Sequence, residues 1–330
     1  MSILVTGGAG YIGSHMVLAL CDAGEEVVVL DDLSTGIRDN VDPRARFVLG
    51  DVSDPLIVMR LIAEHRVRAV VHFAAKIVVP DSVADPLDYY LANTAKTRAL
   101  LAAVTAAHVS HFVFSSTAAV YGNVGQEPVS EDTPAIPVSP YGSSKLMSEI
   151  MLRDSAAAYG LKYVALRYFN VAGADPKGRA GQSTPRATHL IKVACEAATG
   201  KRNGMQVFGT DYPTADGTCI RDYIHVSDLV AAHLDALRYL KAGGDNAVMN
   251  CGYGSGYSVL DVIETVKRVS GVNLPVELAP ARAGDPAAIV ASADRIRRAL
   301  GWQPKYDDLE TIVRHALAWE RKLPAKSAAA

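Results

Sequence analysis

The sequence predicts an α/β protein, a doubly wound parallel sheet followed by a smaller C-terminal α/β lobe. Three observations carry that expectation. The first third alternates short β-rich runs with helical stretches, the pattern of successive βαβ units. Runs such as Val27-Val28-Val29-Leu30 are apolar without alternation, as expected of strands covered on both faces. At 330 residues the chain also exceeds the ~250–300 at which one core stops growing, which favours a large unit carrying a second one.

Taken in order, strands are expected at Ser2 to Thr6, Glu26 to Leu30, Val67 to Phe73, His111 to Ser115 and Tyr163 to Arg167, with a further one running up to Leu49. Gly13 to Ala23, Pro55 to Glu64, Leu87 to Ala107 and Pro140 to Tyr159 have helical composition and spacing. From about Asp175 the pattern loosens into Gly/Pro/Asp-rich segments, Asp175 to Pro185, Gly209 to Thr218 and Ala279 to Pro286, with helices between. A boundary is therefore expected between a first domain, 1–175, and a second, 176–330, part of which returns to the first. The small, polar stretch from Pro324 to Ala330 is expected to fray.

Composition narrows the function classes. Lys and Arg number 33 against 35 Asp and Glu, a net charge of −2, and no basic run supplies a local patch for a phosphate backbone, so nucleic acid is not an expected partner. Cys21, Cys195, Cys219 and Cys251 are far apart, without a CxxC pair or zinc-finger histidine, which argues for reduced packing residues and against disulfides or structural zinc. His108 and His111 are three apart but have no third ligand nearby, so strand-edge hydrogen bonding is expected there and no metal site. No apolar run is long enough to cross a bilayer, and Ile3-Leu4-Val5 is too short for a secretory core, so a cytoplasmic protein is expected.

Gly7-x-x-Gly10-x-x-Gly13 lies between the first strand and the first helix, where glycines let backbone N–H groups approach a pyrophosphate at a helix N-terminus. A tight strand-to-helix turn alone would also explain them. The GxxGxxG spacing is that of short-chain dehydrogenase/reductases, and Asp31 ends the second strand about 20 positions on, where a carboxylate accepts both ribose hydroxyls and repels a 2′-phosphate. NAD is therefore favoured over NADP. Asp51 either holds an adenine amino group or caps the next turn.

Tyr141 and Lys145 stand four apart on a helix opened by Ser139-Pro140, an N-cap followed by Pro at the first helical position, so one face carries both. A free phenol has a pKa near ~10, and making it a base at neutral pH needs a shift of ~3 units. The Lys145 ammonium, a cationic nicotinamide ring and the helix N-terminus are possible sources of that shift. Phe112-Val113-Phe114-Ser115-Ser116-Thr117 places hydroxyls at the C-terminal end of a strand, the edge where open α/β sheets bind ligands.

Four stretches carry a resemblance. They are Val5-Thr6-Gly7-Gly8-Ala9-Gly10-Tyr11-Ile12-Gly13-Ser14-His15, Ser139-Pro140-Tyr141-Gly142-Ser143-Ser144-Lys145, Leu166-Arg167-Tyr168-Phe169-Asn170 and Gly217-Thr218-Cys219-Ile220-Arg221-Asp222-Tyr223-Ile224-His225-Val226. From Leu4 to about Trp302 the chain resembles the extended short-chain dehydrogenase/reductases, and within them the UDP-glucose 4-epimerases (UDP-galactose 4-epimerases). The resemblance implies a Rossmann-type first domain, a UDP-sugar-binding second domain, tightly bound NAD, and reversible 4-epimerisation of UDP-glucose and UDP-galactose through a transient 4-keto sugar. It makes Tyr141 the acid/base, Lys145 its electrostatic partner and ribose ligand, and Thr117 the hydroxyl that bonds sugar O4. Gly7, Gly10, Tyr11, Ile12, Gly13, Asp31, Asp32, Asp51, Val52, Phe73, Ala74, Ala75, Asn93, Ser115 and Tyr168 would join Tyr141 and Lys145 around NAD. Asn170, His189, Leu190, Gln206, Phe208, Arg221, Tyr223, Arg282 and Asp285 would join Thr117 and Tyr141 around the UDP-sugar, the two arginines as forks for its diphosphate. Lys76 is not assigned to the cofactor, because its register against the family is ambiguous. The helical stretches from Leu87 and from Pro140 correspond to those that pair in family homodimers.

The same cofactor loop and Tyr/Lys pair serve 4,6-dehydratases and UDP-glucuronate decarboxylases. Dehydratases need an acid-base pair directly after the Thr, and this chain has Ala118-Ala119 there. Other UDP-sugars, N-acetylated, pentose or glucuronate, remain alternatives for the same chemistry, and Ile289 stands where the family admits or excludes an N-acetyl group. A non-catalytic dinucleotide sensor would have no reason to keep Thr117, Tyr141 and Lys145 together.

Overall fold

The computed structural model describes residues 2–125, 127–184, 187–282 and 285–324, so all but the first residue of the expected frayed tail lies outside the described residues. The strands are β1 (Ser2–Thr6), β2 (Glu26–Asp31), β3 (Arg46–Leu49), β4 (Val67–His72), β5 (His111–Thr117), β6 (Lys162–Tyr168), β7 (Asn170–Ala172), β8 (Met205–Phe208), β9 (Ile220–His225), β10 (Ala247–Cys251), β11 (Gly256–Ser258), β12 (Val276–Ala279) and β13 (Ala288–Ile289). The helices are α1 (Tyr11–Asp22), α2 (Pro55–His65), α3 (Val79–Ala84), α4 (Pro86–Tyr89), α5 (Lys96–Ala106), α6 (Pro140–Tyr159), α7 (Leu190–Ala198), α8 (Val226–Lys241), α9 (Val259–Ser270), α10 (Asp294–Leu300) and α11 (Leu309–Lys322).

A seven-stranded sheet runs in the order β10-β6-β5-β4-β1-β2-β3, and all its pairings are parallel. The apolar runs are divided by the pleat. Ile3, Val5, Val27 and Val29 join the core under α1 and α8, whereas Leu4, Val28, Leu30, Val70, Phe112 and Phe114 join the core under α2 and α5. This is the doubly wound, Rossmann-type arrangement, and its strand order reverses beside β1, between β1 and β4. The loops after these two strands therefore flank one crevice at the C-terminal edge.

The second half of the chain builds β9 with β7, β11 and β13, pairs β8 with β12, and packs α7, α9 and α11 together. It does not stay apart. Helix α8 covers β5 and β6, and β10 extends the first sheet beside β6. One apolar cluster continues from Ile3 and Val29 to Ile191 on α7 and Ile312 on α11.

The expected helix from Leu87 to Ala107 is interrupted. After α4, residues Tyr90–Ala95 form a wider π turn before α5 begins. The buried Asn93 explains the detour. Its amide donates to the Lys76 carbonyl (2.9 Å) and to Ser144 Oγ (3.0 Å), and its Oδ1 accepts from the Lys76 N–H (2.8 Å), so the turn bulges to deliver that side chain inward.

Candidate active site

Gly7 leaves β1 with φ +71°, and a Cβ there would lie 2.6 Å from the Ala74 backbone nitrogen. A Cβ on Gly13 would lie 2.1 Å from the Gly7 carbonyl oxygen. The glycines thus bring the β1 turn, the first turn of α1 and the loop after β4 into one backbone cradle. Gly10 caps α1 without a side-chain bond, leaving the first N–H groups of the helix without a side-chain acceptor. Asp31, at the end of β2, accepts from the Ala9 N–H (2.9 Å) and the Leu33 N–H (2.8 Å), while burial pushes its pKa up against those two bonds. Each oxygen keeps a second lone pair for a diol. The cradle and the carboxylate fit a dinucleotide.

Other expected cofactor residues spread along that crevice. Tyr11 donates its hydroxyl to the Gly173 carbonyl (2.7 Å), tying α1 to the loop after β7. Ile12 packs on the core beside it, and Val52 is buried in the opposite core. Asp32 accepts from Ser34 at the exposed rim (2.9 Å). Asp51 caps the turn at Ser53 (2.8 Å) and pairs with Lys96, so the capping role is realised. The Phe73 N–H donates to the Thr6 carbonyl (2.9 Å), and its ring packs 4.9 Å from that of His233. Ala74 and Ala75 follow it along the cradle, and Lys76 turns out to the surface against Asp88. Asn93 has both amide hydrogens taken by protein groups, so its structural work is to clamp the Lys76 backbone to α6.

Opposite the cradle, Ser139 accepts from the Gly142 N–H (3.2 Å) and Pro140 opens α6, as the sequence predicts. Tyr141 and Lys145 both face inward. The Tyr141 phenol is hydrogen-bonded to the Thr117 hydroxyl, which also accepts from the Ala119 N–H (3.1 Å). Lys145 Nζ donates to the Ser115 carbonyl (2.8 Å) and lies 4.9 Å from the centre of the Phe114 ring. Ser115 Oγ bonds the Tyr168 hydroxyl, and Thr117 and Tyr168 are register partners across β5 and β6.

The electrostatics differ from the expectation in one respect. Burial raises the Tyr141 pKa, opposed by the Thr117 hydrogen bond, and burial lowers Lys145 to about 7, opposed by the Glu149 carboxylate. The protein's own groups thus hold the phenol neutral.

The substrate candidates fall into two groups. Asn170 and Tyr223 are register partners on β7 and β9, and with His189 and Leu190 they line one narrow cleft. In the second group, the Arg282 guanidinium stacks 3.8 Å from the centre of the Phe208 ring. Arg221 donates to the Ile220 and Pro286 carbonyls (2.8 Å each) and lies 3.7 Å from the Asp285 carboxylate. Gln206 is exposed, and its amide reaches Glu277 at 3.5 Å, on the surface strand pair.

Sequence reasoning missed several residues that hold this site. Glu149, one turn beyond Lys145, accepts from Ser116 and takes both forks of Arg167 (2.9 and 2.6 Å). Its spacing, Tyr141-x-x-x-Lys145-x-x-x-Glu149, is a signal that could have found it. Gln182 against His189 (2.9 Å) and Trp319 against Ser183 (3.3 Å) had none, because they meet across distant segments.

The profile of the NAD dependent epimerase/dehydratase family matches residues 3–252. A UDP-glucose 4-epimerase of Azospirillum brasilense is 58% identical over 321 residues, 97% of this chain and 92% of that protein. Among solved structures, the UDP-glucose 4-epimerase from Brucella ovis in complex with NAD is 43% identical with a TM-score of 0.93, over 96% of this chain and 97% of that one. The UDP-glucose 4-epimerase from Stenotrophomonas maltophila, with bound NAD and formylated UDP-arabinopyranose, is 39% identical with a TM-score of 0.93, over 97% and 98%. With its glycine cradle, its Tyr141/Lys145 helix face and a match over most of its length, the chain belongs to the NAD dependent epimerase/dehydratase family.

Proposed function

We propose that the protein interconverts UDP-glucose and UDP-galactose at sugar C4, with Tyr141 as acid/base. The observation that carries this reading is the pairing of Tyr141 with Thr117 beside Lys145, facing the glycine cradle at the C-terminal sheet edge. The cradle, the uncapped start of α1 and Asp31 would hold the dinucleotide, and the carboxylate favours NAD by repelling a 2′-phosphate. Bound NAD supplies the hydride acceptor and, later in the same cycle, the hydride donor.

Each remaining step falls to the chain's own side chains. Thr117 hydrogen-bonds sugar O4 and orients it towards Tyr141. Tyr141 takes the O4 proton as C4 is oxidised to a ketone, and returns it when the opposite face of C4 is reduced. Lys145, held by the Ser115 carbonyl, places its ammonium beside the phenolate. Arg221 and Arg282 supply guanidinium forks for the diphosphate, Phe208 and Asp285 flank the uridine, and Asn170, Tyr223, His189 and Leu190 line a cleft beside the nucleotide sugar, Asn170 and His189 with groups that can reach its phosphates.

Ala118-Ala119 after Thr117 carries no proton-moving group, which disfavours elimination of water from the sugar. Two copies are proposed to pair through Leu87, Leu91, Met147 and Ile150, apolar side chains left exposed around α4 and α6. No helix among the described residues is long and apolar enough to cross a membrane, and the scattered free cysteines suit a cytoplasmic enzyme. The test is Tyr141→Phe. It should interconvert UDP-galactose and UDP-glucose ~10²–10⁴-fold more slowly while retaining NAD. Turnover at the parent rate would overturn the reading.

A further inference from the structure

The loop between β7 and α7 brings Gln182 against His189, and both line the cleft assigned above to the UDP-sugar. The Gln182 amide nitrogen lies 2.9 Å from His189 Nδ1. With the amide nitrogen turned to the ring, as here, the amide donates, Nδ1 accepts and the ring proton sits on Nε2. Gln182 is itself held. Its neighbour Gly181 bridges Ala174, a Cβ on Gly181 would meet the Trp319 ring at 2.2 Å, and Ser183 Oγ accepts from the Trp319 indole N–H (3.3 Å). Gln182 is also only 7% exposed.

We propose that Gln182 is a positioning residue that fixes the tautomer of His189, so that a neutral imidazole presents its Nε2–H to the diphosphate of the nucleotide sugar. The inference rests on reading the cleft as the UDP-sugar site and goes beyond it by assigning a role to Gln182. A neutral donor suits the place. Burial lowers the His189 pKa, so a charged ring would be costly there. The charged groups lining the same cleft, Lys192 and Glu320, are engaged with each other, and Glu196, Lys201 and Arg202 extend their network. α7 begins at the residue after His189 with no side-chain cap, so its first N–H groups face the same end of the cleft as the imidazole.

The tautomer can be read without turnover. In the NAD-loaded protein labelled with ¹⁵N-histidine, the signals lost in His189→Asn identify this ring among the nine histidines. An Nε2–H signal with an unprotonated Nδ1 is expected, and an Nδ1–H signal overturns the proposal. Function gives the second arm. In Gln182→Glu a carboxylate replaces the donor, draws the proton to Nδ1 and turns the Nε2 lone pair towards the diphosphate. KM for UDP-glucose should rise about tenfold or more at pH 8.5 and recover as pH falls towards 6, because the new carboxylate favours protonation of both ring nitrogens, with kcat within about twofold. The parent KM should change less than about twofold over that range. In a His189→Asn background, whose amide donates regardless of residue 182, Gln182→Glu should lose its pH-dependent effect. The same rise in that background, or a flat profile for Gln182→Glu alone, overturns the proposal. Failure of the epimerase reading would show separately, as a parent chain that does not interconvert UDP-hexoses while its tautomer signal stands.

Discussion

Replacing Glu149 by Gln tests the buried scaffold behind the catalytic helix. The Glu149 and Arg167 side chains are 5% and 8% exposed, joined by two hydrogen bonds and by Ser116 on the Glu149 carboxylate. Arg167 also stacks 4.9 Å from the centre of the Tyr121 ring. Removing the carboxylate charge leaves a guanidinium buried without a counter-ion, and an amide N–H replaces one acceptor. Breaking such a pair costs ~3–5 kcal/mol, a large share of the ~5–15 kcal/mol that holds a folded domain. Denaturant unfolding of the NAD-loaded protein at fixed NAD gives the number. The paired change Glu149→Met with Arg167→Met should cost much less than the sum of the singles, because no charge is left stranded. A single-variant loss below about 1 kcal/mol, or additive losses in the double, would refute the assignment of an energetically coupled pair.

Acid should unfold the protein early. Burial lowers His15 and His233 to about 4 and His72 and His225 to about 3, below the ordinary 6.5, so the unfolded chain binds protons that the folded one refuses and stability falls as pH drops from about 6.5 towards those values. Each ring costs ~1.4 kcal/mol per pH unit in that window, about 8 kcal/mol for four at pH 5, and unchanged unfolding midpoints between pH 7 and 5 would contradict it. Gly7→Ala should strip NAD from the purified protein, since its Cβ collides with the Ala74 backbone at a positive φ; the NAD released on denaturation measures it. Leu87→Glu with Leu91→Glu should convert a dimer to a monomer by light scattering, with the fold intact by circular dichroism.

The first sheet was legible because its signals are local. Glycine spacing, buried apolar runs and the Ser139-Pro140 cap each lie within a few residues, and the structure starts and ends α6 at the expected positions. β10 was not foreseen. Ala247–Cys251 is short, carries Asn250 next to its last residue and joins the sheet only by pairing with β6, some 80 residues earlier in sequence. Asn250 is satisfied there by Tyr121 and the Val129 carbonyl, partners that no pattern in its own segment announces. The π turn at Asn93 was hidden for the same reason, because periodicity counts residues along one helix and cannot see Lys76 and Ser144 demanding an amide. Among the site residues, those on α6 and the β5 edge were placed by spacing, whereas the Gln182–His189 and Trp319–Ser183 contacts depend on how loops close over a core.

Burial of the phenol works against its acidity, which leaves a role for charge supplied by the cofactor beside that of Lys145. Burial raises Tyr141, and the same burial lowers Lys145 to about 7, with its Nζ turned to the Ser115 carbonyl. A cationic nicotinamide beside the ring would act directly on the phenol, and its charge would favour the phenolate in a site of low dielectric. On the proposed reading, Tyr141 would be a base only while the oxidised cofactor is present, and a proton donor once that charge is gone, which is the order in which removal and return of the O4 proton require it. An ultraviolet difference titration, parent against Tyr141→Phe, should find the phenolate at lower pH with NAD bound than with NADH bound. Equal titration in the two states would place the source of the acidity in the protein after all.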